Sequence, residues 1–209
     1  MKGANNMQSY RSLHPNHVHQ LTVSVSKHYW ITGEGILKYR HKKMEVALDK
    51  VESSKRNHLI HYIIRDHCSR VLYSEVASSK SNIDLQQFLF RAWSQKEGFA
   101  FCGIPELLTI PNTVQKAFPK IKEKVSQLGI KYLKVTSGFQ AGVRDVKTLE
   151  EYMKFYAELP FTENHATLNE TFNYVSTMQA RTGKQSKLEM WQNNINTVSV
   201  PSESWLRIA

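Results

Sequence analysis

Two stretches constrain this chain more than any other feature. His58-Leu59-Ile60-His61-Tyr62-Ile63-Ile64 and Arg70-Val71-Leu72-Tyr73-Ser74-Glu75-Val76 are both rich in β-branched and aromatic residues, and Asp66-His67-Cys68-Ser69 lies between them. Such residues suit a pleated, half-buried surface, and a short link of turn-forming side chains returns the chain antiparallel. The pair predicts a β-hairpin. Upstream, Leu21-Thr22-Val23-Ser24-Val25 alternates apolar and polar residues, the period of a third half-buried strand. Residues 38–57 show no such period. They carry Lys38, Arg40, Lys42, Lys43, Lys50, Lys55 and Arg56 and read as a basic excursion between strands, a solvated loop or hairpin.

Beyond the hairpin the period changes. Leu85, Phe88, Leu89, Ala92 and Trp93 fall on one helical face, with Ser81 or Asn82 as the expected cap and Gly98 as the expected end. Glu106-Leu107-Leu108-Thr109-Ile110 is a short buried-strand run. Val114, Ala117, Phe118, Ile121, Val125 and Leu128 are again in helical phase, and Pro119 implies a start or kink near Phe118. Tyr132-Leu133-Lys134-Val135 gives another short strand, and Val146, Leu149, Met153 and Tyr156 mark a helix that ends before Pro160. Three strands followed by helix, strand, helix, strand, helix predict an α/β fold: a mixed sheet with an antiparallel meander of three strands, then parallel strands, flanked by helices. Residues 161–209 read as one helix through Leu168, Phe172, Val175 and Gln179, with a loosely structured tail.

Apolar residues make up 41% of the 209, enough for a sizeable core. No run approaches eighteen apolar residues and the N-terminus has no apolar segment, so neither a transmembrane helix nor a secretory signal is expected. Cys68 and Cys102 are too few and too far apart for a disulfide framework, which suggests a reduced, cytoplasmic protein. The net charge is +10, and residues 160–209 carry four basic and four acidic residues, so the whole excess lies in residues 1–159. That excess favours a polyanionic partner.

Five motifs in order sharpen this reading. His14-Pro15-Asn16-His17-Val18-His19-Gln20-Leu21-Thr22 is similar to a strand of the form HPN-x-x-W-Q-hydrophobic-D. Tyr62 to Arg70 is similar to a D-x-x-S-R/G hairpin. Phe88-Leu89 and Ala92-Trp93-Ser94 fit the helix that follows. Gly103-Ile104-Pro105-Glu106-Leu107-Leu108 is similar to G-h-P-x-x-L, and Gln140-Ala141-Gly142-Val143-Arg144-Asp145 to A-x-G-x-V-E. Together these resemble the catalytic core of DDE-type integrases and transposases, with an RNase H-like fold. The resemblance divides the chain into a tail (1–13), an integrase-core-like domain (14–157) and a helical C-terminal extension (158–209). No N-terminal DNA-binding module is evident, which implies truncation or dependence on a partner.

The resemblance implies DNA strand transfer with Mg2+ or Mn2+. Two such ions need hard oxygen ligands, and several carboxylates to offset their mutual repulsion. Carried over residue by residue, the first acid falls on Thr22, a weak neutral ligand. The second falls on Pro111, which has no ligand atom, and the third on Asp145, one methylene shorter than Glu. His19 replaces the family's Trp. Asp66, Asn112, Asp49 and Glu45 are the residues from which a site might be rebuilt, and none is expected to do so. No metal or other cofactor is therefore expected.

Other constellations are weaker. His14, His17 and His19 lack accompanying cysteines and read as ordinary histidines rather than zinc ligands. No nucleophile motif surrounds either cysteine, and no phosphate-cradling loop is present. Lys131, Lys134, Arg144 and Lys147 lie where an active core of this type faces DNA. The expectation is a mobile-element integrase or transposase core that is catalytically inactive. Its partner is DNA, with self-association or an active transposase subunit alongside and no membrane. The alternatives are an active polynucleotidyl transferase with a rebuilt site, a non-catalytic DNA-binding or assembly subunit, and a remnant without function.

Overall fold

A computed structural model describes residues 12–81, 84–135, 138–178, 185–195 and 198–207. Its backbone element is β1 (Val18–Ile31), a 14-residue strand much longer than the alternating pentad suggests. β2 (Leu37–Tyr39), β3 (Asn57–Asp66) and β4 (Leu72–Ser78) follow, then α1 (Leu85–Trp93), β5 (Leu107–Pro111), α2 (Asn112–Ala117) and α3 (Ile121–Ser126). β6 (Lys131–Val135), α4 (Gln140–Met153), α5 (Phe161–Met178) and α6 (Lys187–Asn194) complete the order. The sheet has six strands in the order β4-β3-β1-β5-β6, with β2 added to the distal end of β1. β1, β3 and β4 are antiparallel, while β5 and β6 run parallel to β1. This is the expected RNase H-like mixed sheet, and the basic excursion opens as the hairpin of its two expected forms, with β2 paired to β1.

Strand parity sorts the core into two layers. Leu21, Val23, Tyr62 and Ile64 pack under α1, α2 and α3 with Leu108 and Ile110. Tyr29, Ile31, Leu59 and Ile63 pack under α4 and α5 with Leu149, Met153, Leu168 and Phe172. A register shift between Val25 and Trp30 bends β1. The buried Ser26 holds that bend: its hydroxyl accepts from the His28 and Tyr29 amides and donates to Glu150 of α4 at 2.6 Å.

Several local expectations need correction. Asp84, not Ser81, caps α1 by accepting from the Gln86 amide at 2.9 Å, and Asn82 lies outside the described residues. α1 stops at Trp93 rather than at Gly98. There the Lys96 ammonium binds the carbonyls of Arg91, Ala92 and Ser94, satisfying the helix end five residues sooner. The helical run around Pro119 is two short helices, α2 and α3, because proline cannot carry an amide through the junction. The expected loose tail contains α6 and a 3-10 turn at Glu203–Arg207, and it buries Trp191 and Trp205 in the same layer as Trp93 and Phe101. Gln179 lies outside the described residues.

Candidate functional site

α4 crosses the sheet at Thr22. Gly142, on its first turn, comes so close to β1 that a Cβ there would overlap the Thr22 hydroxyl and sit 3.2 Å from the Thr22 Cβ. One helical turn later Asp145 faces the same sheet surface, nearly buried. β5 runs parallel to β1 with Gln20 opposite Thr109, so two residues further along both strands Pro111 ends β5 level with Thr22. The structure therefore brings Thr22, Pro111 and Asp145 together.

A residue that sequence reasoning missed occupies this convergence. Arg65 of β3 pairs with Gln20 of β1, and its side chain rises on the α4 face. Its guanidinium grips Asp145 with both prongs, Nε donating to Oδ2 at 2.8 Å and Nη2 donating to Oδ1. The two side chains are 13% and 9% exposed, so the pair is shielded from water. Lys187 of α6 lies within electrostatic reach. Burial, and then the Arg65 charge, bring its ammonium down to about 8, while Asp145 acts in the opposite direction. Its Nζ donates to the Ser176 carbonyl at 2.8 Å.

This donor set does not fit a pair of divalent cations. One neutral hydroxyl, one proline and one carboxylate already neutralised by a guanidinium leave nothing to offset the repulsion of two ions. Asn112 adds a single neutral amide oxygen, buried and without a hydrogen-bond partner. Among the described residues no cluster of three His, Cys, Asp or Glu is placed to hold a metal.

The other residues considered for rebuilding lie elsewhere. Asp66 has the opposite strand parity to Arg65, so its carboxylate sits in the other layer, where it accepts from the Asn16 amide and from the Ser69 amide and hydroxyl. Burial raises its pKa, against those hydrogen bonds. Asp49 belongs to the 3-10 turn Leu48–Lys50, whose neighbours Leu48 and Val51 pack in that same opposite layer, and Glu45 is exposed. His19 is fully buried. Its Nδ1 accepts from the Trp93 indole at 3.2 Å, so Nε2 donates to Asn16 at 3.0 Å, and burial lowers its pKa to about 3. His14 and His17 stack on each other instead of converging with it.

Lys131 and Lys134 lie on the edge strand β6, and Arg144 and Lys147 one turn apart on α4; all four are exposed. None of them is in an ion pair among the described residues. A cavity of about 800 Å3 lies apart from the convergence, between β4, α1 and α5, lined by Tyr73, Glu75, Arg91, Phe99 and His165 among others. No helix among the described residues is long and apolar enough to cross a membrane.

With this geometry in view, the fold is that of a retroviral integrase catalytic core. An HTLV-2 integrase catalytic core solved with magnesium in a dimeric form is 15% identical at a TM-score of 0.50, over 87% of this chain and 99% of that one. A simian T-cell lymphotropic virus intasome bound to the PP2A regulatory subunit B56γ contains a chain 12% identical at a TM-score of 0.53. That match covers 92% of this chain and 61% of the matched chain, so this chain spans less than two thirds of the latter. No protein-family model matches the sequence. No curated protein matches it either.

Proposed function

We propose that this chain is an integrase-core-like protein of a mobile element that binds DNA without cutting or joining it. The observation that carries the reading is the Arg65 clamp on Asp145, flanked by Thr22 and Pro111, in a fold whose HTLV-2 counterpart is described with magnesium. A guanidinium neutralises the carboxylate without activating a nucleophile or stabilising a leaving oxygen, so metal-dependent strand transfer has no support from these side chains. The fold persists as a scaffold. Arg144, Lys147, Lys131 and Lys134 supply exposed cations on α4 and β6 for phosphates, in no ion pair among the described residues.

In this reading the chain is a pseudoenzyme related to the transposition and recombination machinery. It acts as a homo-oligomer or beside an active transposase subunit. The dimeric HTLV-2 core and the simian intasome support assembly as its mode of action. Cys68 and Cys102 are free thiols, which suits a cytoplasmic setting. An active enzyme with a rebuilt site draws only on the orphan Asn112 oxygen and is the weaker reading.

Gel shifts on duplex DNA across a salt series test the proposal. The expected log K against log salt plot is steep. Arg144→Gln with Lys147→Gln lowers its slope by about 1.8, near 0.9 for each phosphate no longer neutralised. A slope near zero for the unaltered protein overturns it.

A further inference from the structure

The excursion between β1 and β3 plays no part in the site described above, yet it is built rather than loose. β2 pairs Tyr39 with Tyr29 and Lys38 with Trp30. Past β2 the chain stays beside β1: the Arg40 amide donates to the His28 carbonyl at 2.9 Å and the Met44 amide to the Lys27 carbonyl at 2.8 Å. The His28 ring joins in through Nδ1, 3.0 Å from the Arg40 carbonyl. The Tyr39 ring lies against His28 at 5.8 Å and 26°, with Tyr29 behind it at 5.1 Å and His41 edge-on at 5.2 Å. Tyr39 remains 38% exposed. The result is a supported aromatic platform on the protein surface.

Cations flank it along the chain. Lys27, Lys42 and Lys43 are exposed and Arg40 is half-buried, and none of the four is in an ion pair among the described residues. Lys38 is held by Glu158. Over residues 38–57 there are seven Lys and Arg against three acids, Glu45, Asp49 and Glu52, so this segment alone carries +4 of the total +10. The apolar Leu37 and Met44 are buried, leaving no aliphatic stripe to enter a lipid surface.

We infer that this ribbon is a second nucleic-acid contact that takes a single strand, stacking an unpaired base on Tyr39 while Lys27, Arg40, Lys42 and Lys43 follow its phosphates. Every base has a π face, and a duplex hides it; a supported ring with exposed cations along the same ribbon suits the unpaired polymer. The inference rests on the nucleic-acid reading above and adds the form of the polymer recognised here, through residues other than the cations of α4 and β6.

Fluorescence anisotropy with the full chain, a labelled oligothymidylate and a duplex of equal length tests it. The expected result is that Tyr39→Ala weakens single-strand binding on the order of tenfold, that Tyr39→Trp retains it, and that duplex binding changes less than about twofold. Lys42→Gln with Lys43→Gln lowers the single-strand salt slope by about 1.4, near 0.7 per phosphate. Both lysines are exposed, so this pair remains informative if Tyr39→Ala unfolds in a thermal melt. An unchanged slope in the lysine pair overturns the inference, as does equal loss of single strand and duplex in a folded Tyr39→Ala. So does binding of phosphatidylserine vesicles, but not oligothymidylate, that depends on Lys42 and Lys43. Arg144→Gln with Lys147→Gln reports separately on the duplex contact: its effect persists if only the ribbon is misread and vanishes if the DNA-binding reading itself fails.

Discussion

Replacing Arg65 by Met removes one half of a shielded ion pair and leaves Asp145, on the sheet-facing side of α4, without its main counter-charge. Breaking a buried pair from one side costs about 3–5 kcal/mol, far more than losing a surface bridge. Arg65 and Asp145 are 13% and 9% exposed, so the buried range applies, and the electrostatic reach of Lys187 to Asp145 places the loss near its lower end, about 3 kcal/mol. In a chain of this size that corresponds to a drop of about 6–12 °C in melting temperature. Asp145→Leu alone strands the guanidinium and should cost a similar amount. The double variant Arg65→Met with Asp145→Leu should recover most of the loss, because two apolar side chains of suitable size remove the charge problem altogether. Urea denaturation of the four proteins closes the cycle. Single variants within about 0.5 kcal/mol of the unaltered protein, or losses that simply add in the double variant, would refute the clamp.

Gly142→Ala forces a methyl group onto the Thr22 hydroxyl and should cost about 1–3 kcal/mol by denaturation, with Thr22→Ala in the same chain restoring much of it. Asn173 of α5 caps the outer edge of β4, accepting from the Ser74 amide and hydroxyl and donating to the Ser74 carbonyl; Asn173→Ala should cost about 1–3 kcal/mol and raise aggregation measured by light scattering. His19, held neutral by burial with a pKa of about 3 against an ordinary 6.5, stabilises the fold fully above pH 6.5. As pH falls below that value the unfolded chain takes up a proton that the folded one refuses, so stability drops by up to about 1.4 kcal/mol per unit. His61, lowered by the same cause, adds the same sign, whereas the raised Asp66 carboxyl adds the opposite sign on protonation. The difference between the unaltered protein and His19→Gln across the pH series isolates the His19 share, and a flat difference would contradict it.

Much of the fold was legible because it lies in local periodicity. The hairpin of β3 and β4 follows from β-branched runs around Asp66-His67-Cys68-Ser69, and the later helices and strands follow from changes of period. Strand register is not local. Nothing near Arg65 announces that it stands opposite Gln20 and beneath Asp145, although its parity with Ile63 already placed it on the same face as that apolar residue. Lys187 joins the same region from 122 residues away, beyond any local signal. Loop or hairpin stayed open for the basic excursion because the three paired residues of β2 at its start carry no period. α6 and the burial of Trp205 were missed because tertiary packing, not helical phase, orders that part of the chain.

We propose that this integrase-core fold does not carry out metal-dependent DNA chemistry. Incubating the purified protein with supercoiled plasmid and with candidate end sequences, in Mg2+ or Mn2+, measures it directly. No nicked or joined product is expected under either metal. Metal-dependent nicking that disappears with Asp145→Asn would contradict it.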